Sequence, residues 1–178
     1  MAGFKFRKNL DGSGYTPALL YAIGKNSIVF TVGDTVRLNT AGFLDLATAT
    51  EPVFGIVAHV VSSKGIALDF DSGTIQTWTM SATNQTGNMY QVAVIPAFAH
   101  YAFSADSDTS PGQADLGKYF AINATSDGVV TSGESDTVGS LDLQFIGVDP
   151  DNDGDASKGL YRFVGSQVAQ RAQGNRAA

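Results

Sequence analysis

The densest set of oxygen ligands in this 178-residue chain is Asp149-Pro150-Asp151-Asn152-Asp153-Gly154-Asp155-Ala156-Ser157. Carboxylates at Asp149, Asp151, Asp153 and Asp155 alternate as in the first half of a calcium loop, with Gly154 where such a loop turns sharply. Leu160 stands where that loop would need its bidentate Glu, and Pro150 restricts the entry. The segment therefore reads first as a solvated acidic hairpin loop, with those four Asp residues as the cation ligands of the alternative. Neither His59 nor His100 announces catalysis. Each lies in an apolar run, Val57-Ala58-His59-Val60 and Phe98-Ala99-His100-Tyr101, and is expected to be structural. Gly24-Lys25-Asn26-Ser27 lacks the upstream glycine of a phosphate loop and the Ser or Thr directly after its Lys, so it reads as a turn. No nucleophile elbow, zinc-protease motif or dinucleotide fingerprint is found. The chain has no cysteine, which excludes a thiol nucleophile, a disulfide and a Cys-zinc site. A general acid needs an apolar pocket to raise its pKa, and the Asp-Ser-Asp loops offer solvent instead. The expectation is a protein without enzymatic activity or cofactor.

Charge and hydropathy narrow the partners. The net charge of -6 argues against a nucleic-acid binder, whose affinity rests on Lys and Arg neutralising phosphates. No apolar run approaches the roughly 20 residues that span a bilayer, so no membrane partner is expected. The basic N-terminus leads into Leu10-Asp11-Gly12-Ser13-Gly14 and not into the apolar core of a signal peptide. Synthesis and retention in the cytoplasm are expected, and the triplets Asn84-Gln85-Thr86 and Asn123-Ala124-Thr125 read as chance matches to a glycosylation site.

The elements that must position these residues are short and β-rich. A strand-turn-strand phrase occurs twice. Its first copy joins Gly33-Asp34-Thr35-Val36-Arg37-Leu38-Asn39, a turn at Gly42, and Val53-Phe54-Gly55-Ile56-Val57. Its second joins Gly117-Lys118-Tyr119-Phe120-Ala121-Ile122-Asn123, a turn at Gly128, and Phe145-Ile146-Gly147-Val148. Alternate apolar residues (Val36, Leu38; Phe120, Ile122) give the two-residue period of a half-buried strand, and the third glycines, Gly55 and Gly147, read as matching bulges or close approaches. Further runs at 28–32, 53–61, 66–70, 75–80, 90–95, 100–103 and 160–164 are bounded by Gly, Asn, Ser and Asp. The spacing predicts an all-β fold, a small β-barrel or β-sandwich with little helix. Residues 18–23 and 167–172 are expected to form at most a helical turn or two, and 104–112 a long acidic loop. The organisation predicted is an N-terminal arm over 1–26, a single β domain over 27–165 containing the possible repeat (33–57 and 117–148), and a C-terminal tail over 166–178.

The order of a basic-aromatic arm, the strand Val32-Gly33-Asp34-Thr35-Val36-Arg37-Leu38, the turn Gly42-Phe43-Leu44 and Pro52-Val53-Phe54-Gly55-Ile56-Val57 resembles the capsid decoration (cement or auxiliary head) proteins of tailed bacteriophages. The phrase Gln144-Phe145-Ile146-Gly147-Val148-Asp149, a loop, and Tyr161-Arg162-Phe163-Val164 resembles their closing hairpin. The likeness spans most of the body through short motifs and leaves the middle, 66–110, unmatched. It implies a structural virion protein on the outer capsid surface, a homotrimer bound to the major capsid protein at joints between capsomers. The arm residues Phe4, Lys5, Phe6, Arg7, Lys8 and Tyr15 would make the contact, as aromatic anchors flanked by cations. Three other readings stay open. One is a carbohydrate-binding or adhesion β-sandwich with Trp78, Tyr90 and Tyr101 as its platform, a second is a small β-barrel hydrolase using His59 or His100, which no motif favours, and the third is a different virion part such as a head-fibre base or tail protein.

Overall fold

The computed structural model describes residues 3–12, 16–48, 51–62, 77–87, 90–108, 110–122, 143–150 and 157–164. Short strands dominate: β1 (Lys5–Asn9), β2 (Leu20–Ala22), β3 (Val29–Thr31), β4 (Thr35–Leu38), β5 (Leu44–Leu46), β6 (Gly55–Ser62), β7 (Thr77–Thr79), β8 (Tyr90–Pro96), β9 (Tyr101–Asp106), β10 (Tyr119–Phe120), β11 (Leu143–Val148) and β12 (Lys158–Phe163). Among the described residues they are interrupted by one short α-helix, α1 (Ala82–Gly87), and a single 3-10 turn at Gln113–Asp115. The fold is all-β, as the alternation predicted.

The strands form two five-stranded antiparallel sheets, ordered β1-β9-β12-β11-β10 and β2-β8-β6-β4-β5, and a β3-β7 ribbon. The second sheet curls until its ends meet. Ile23 C=O accepts from Leu44 N–H at 2.9 Å, and Lys25 N–H donates to Leu44 C=O at 2.7 Å, a parallel bridge between Gly24 and Leu44. Two apolar clusters hold the layers. The larger joins Phe4, Phe103, Phe120, Phe145, Tyr161 and Phe163 from the first sheet to Ile56 of β6 and to Val53 and Ala97, which lie just before β6 and just after β8. The smaller fills the space between the curled sheet and the ribbon with Phe30, Met80, Val36, Leu44, Val57, Val92 and Val94.

The two copies of the repeated phrase are built alike. Gly33 N–H donates to Val57 C=O (2.9 Å) while Val57 N–H donates to Asp34 C=O (2.9 Å). Gly117 N–H donates to Phe145 C=O (2.9 Å) while Phe145 N–H donates to Lys118 C=O (3.0 Å). Both glycines sit at positive φ, +98° and +86°, which side chains other than glycine's resist. The residue after Val57 and the residue after Phe145 are each skipped in the pairing with the next strand, a bulge at the same place in both sheets. The third glycines are not equivalent. Gly55 opposes Val36, a place taken by Leu143 in the other sheet, whereas Gly147 lies beyond the bulge, level with His59. The Gly128 turn lies outside the described residues.

Three sequence expectations change. Residues 18–23 hold β2, because pairing with β8 at Leu20–Val94, Tyr21–Ala93 and Ala22–Val92 outweighs the helical preference of Ala and Leu. The strand β9 runs on to Asp106, so Ser104 and Ala105 are buried strand and not loop. They oppose Leu160 and Gly159. Residues 5–9, expected in an arm, are the edge strand of the first sheet.

Candidate functional site

The N-terminal strand is the segment whose residues combine contact chemistry with a defined place in the fold. β1 pairs with β9 through Lys5–Ser104, Phe6–Phe103, Lys8–Ala102 and Asn9–Tyr101. Arg7 is the extra residue of a bulge between Phe6 and Lys8. Such a bulge re-aims a side chain, and Arg7 reaches Asp149. Its Nη2 and Nε donate to the same Asp149 Oδ2 at 2.6 and 3.0 Å. Only 1% of the Asp149 side chain and 21% of the Arg7 side chain are exposed, so this pair is largely withdrawn from water.

The aromatic residues of the segment are consumed by the body. Phe4 is buried, with its ring 5.6 Å from that of Phe163, and its N–H donates to Gly33 C=O at 3.0 Å. Phe6 is half-buried and meets Tyr101 and Phe103 edge-on, with centroids 5.2 and 6.0 Å apart. Burial of rings this size contributes roughly 1.5–3 kcal/mol each, which explains why a strand with three cations still docks on its own chain. Phe4, Phe6 and Arg7 therefore fix β1, while Lys5 and Lys8 remain exposed along the sheet edge. Tyr15 lies outside the described residues.

The acidic loop keeps one described carboxylate with an assigned partner, Asp149, and that partner is an arginine. Asp151, Asp153 and Asp155 lie outside the described residues, among which no group of three or more His, Cys, Asp or Glu side chains converges as a metal site would require. His100 is exposed and stacks on Phe98 with centroids 5.2 Å apart; His59 is half-buried on β6, beside the bulge. Of the three aromatics considered for a sugar platform, Trp78 and Tyr90 do meet, with centroids 5.0 Å apart. Tyr101 is 5% exposed in the other cluster and packs on Phe6, so the three do not form one surface.

Sequence reasoning missed two features. One was the Arg7–Asp149 tie, made between residues 142 positions apart. The other was the exposed apolar strand β2, where Leu20 and Tyr21 are 36% and 51% exposed. The readable signal for β2 was an absence of charge from Gly12 to Gly24. Fold and site together define an all-β chain whose basic N-terminal strand is locked to its own sheet. No helix among the described residues is long and apolar enough to cross a membrane. No protein-family model, curated protein or solved structure matches the chain.

Proposed function

We propose that this chain is a structural virion protein that binds the outer surface of a phage capsid and stabilises the joints between capsomers of the major capsid protein. The observation that carries the reading is the display of Lys5 and Lys8 on a strand held in place by Phe4, Phe6 and the Arg7–Asp149 pair. A contact strand already ordered in the unbound protein avoids the entropy of fixing a loose arm on binding. Where several copies act on one shell, modest contacts from each edge add through effective concentration. In this reading the contact shifts from the aromatic anchors to the two lysines, because the phenyl rings are buried in the chain's own core.

The test is co-sedimentation with bare heads of the phage whose genome carries the chain. The double variant Lys5→Glu/Lys8→Glu is expected to keep its urea midpoint, since both side chains are exposed, and to lose attachment. Attachment equal to that of the unaltered chain would remove β1 from the contact. Failure of the unaltered chain to attach at all would remove the function.

A further inference from the structure

The correspondence between the two sheets extends beyond the repeated phrase and exposes one vacancy. Val57 pairs with Val94 as Phe145 pairs with Tyr161, and past the bulge His59 pairs with Ala93 as Gly147 pairs with Leu160. β8 thus corresponds to β12. On their far sides, Leu20 opposes Val94 and Tyr21 opposes Ala93, as Phe103 opposes Tyr161 and Ser104 opposes Leu160. β2 therefore corresponds to β9, residue 20 to 103 and 21 to 104. β9 is covered on its outer side by β1, over residues 101–104. Among the described residues the corresponding stretch, 18–21, has no strand there, and β2 ends its sheet.

The direction of the open groups follows from the closing bridge. Ile23 C=O and Lys25 N–H point to Leu44. Because successive residues of a strand turn their backbone groups to opposite sides, Leu19 and Tyr21 point to that same side, away from β8. β5 occupies that side only from Ile23 onward.

Within the two five-stranded sheets, the other edges are guarded in the ways that block strand addition. β1 carries Lys5, Lys8 and a bulge, β10 is two residues long, and β5 is closed against residues 23–25, with Asp45 held by Lys25 at 2.7 Å. β2 has no such guard. It is apolar and partly exposed, and no charge lies between Gly12 and Gly24 in a chain of net charge -6. Along this stretch two acidic copies approach without like charges facing each other.

We propose that two copies of the chain join through antiparallel pairing of their β2 edges about a two-fold axis at Leu20. An antiparallel edge contact is self-complementary under a two-fold. With Leu20 opposite Leu20 of the second copy, Leu19 of each chain exchanges both backbone hydrogen bonds with Tyr21 of the other. The pairing stops short of residue 23, where β5 begins, just as β1 on β9 stops at Ser104. The result is a continuous ten-stranded sheet, two times the five strands of one copy.

Light scattering and sedimentation of the full chain test this. The unaltered chain is expected at the mass of two copies. Leu20→Lys and Leu20→Glu each place like charges directly opposite one another, which destabilises a cross-strand pair, and each is expected to run as a monomer with unchanged far-ultraviolet circular dichroism. Mixing the two variants is expected to restore the two-copy mass, because Lys then faces Glu. Tyr21→Pro, which removes an outward N–H and keeps the β8 face, is also expected as a monomer. A one-copy or three-copy mass for the unaltered chain overturns the proposal, since a two-fold edge contact gives neither. A two-copy mass that survives both charge variants, or a mixture that stays monomeric, overturns it as well.

Discussion

Removal of the Arg7 guanidinium tests whether β1 belongs to the body. Arg7→Met keeps most of the aliphatic stem and deletes both hydrogen bonds to Asp149 Oδ2, at 2.6 and 3.0 Å. The Asp149 carboxylate, 1% exposed, is then left charged without that partner. Breaking a buried pair from one side costs about 3–5 kcal/mol, against about 0–1 kcal/mol for an exposed one. The strand's apolar contacts through Phe4 and Phe6 remain, so the expected loss is local to this pair. Asp149→Asn should cost less, because the Arg7 side chain, 21% exposed, keeps some access to water. Arg7→Met/Asp149→Leu should recover most of the loss, since an apolar pair of similar volume replaces a buried ion pair at little or no cost. Urea unfolding followed through the fluorescence of Trp78, the single tryptophan, gives each stability, and the double-mutant cycle gives the coupling. A loss below about 1 kcal/mol for Arg7→Met, the size of an exposed pair, would refute the claim that this tie anchors the strand.

Three further outcomes follow from the same packing. In Gly55→Ala the new methyl lands on the Ile95 carbonyl oxygen and Val94 Cγ1. Backbone cannot yield cheaply, so the unfolding free energy from urea titration should fall by the upper part of the 1–3 kcal/mol range typical of overpacking (~3 kcal/mol). Gly33→Ala and Gly117→Ala both force alanine to positive φ, about 1–2 kcal/mol each. Only Gly33 is also crowded, by Gly3 and Phe4 backbone at 3.2–3.3 Å, so it should be the costlier by the same unfolding assay. Burial pushes the Tyr161 hydroxyl from 10.0 up to about 12. The folded chain holds this proton more tightly than the unfolded one, so the contribution is complete below pH 10 and is lost as pH rises through 12. The gap corresponds to about 3 kcal/mol, and Tyr161→Phe should flatten the stability profile across that window in alkaline unfolding titrations.

The sequence was most legible where burial alternates locally. Runs 28–32, 53–61, 90–95 and 160–164 coincide with β3, β6, β8 and β12, because Val, Ile, Phe and Tyr on one face of a pleat need only their neighbours to be recognised. Gly33 and Gly117 were readable as paired turn positions for a similar reason. Gly55 and Gly147 were not, since one is set by the approach of Ile95 and Val94 and the other lies past a bulge. β1 escaped recognition because its alternation breaks at Arg7 and its partner strand lies in the second half of the chain. The same distance hid the role of Asp149, which read as a cation ligand within its loop and is an anchor for Arg7 in the fold. Ala18 to Ile23 read as at most a helical turn or two, and only the pairing with β8 makes part of it a strand.

The most direct measurement of the proposed role is the temperature at which bare phage heads lose their integrity, followed by light scattering, with and without saturating amounts of this chain. A ligand that binds only the intact shell must stabilise it. Heads carrying the chain are expected to show a higher transition temperature, which returns to the bare value with Lys5→Glu/Lys8→Glu. Identical transitions with and without the unaltered chain, at concentrations that saturate attachment, would contradict a stabilising role on the capsid.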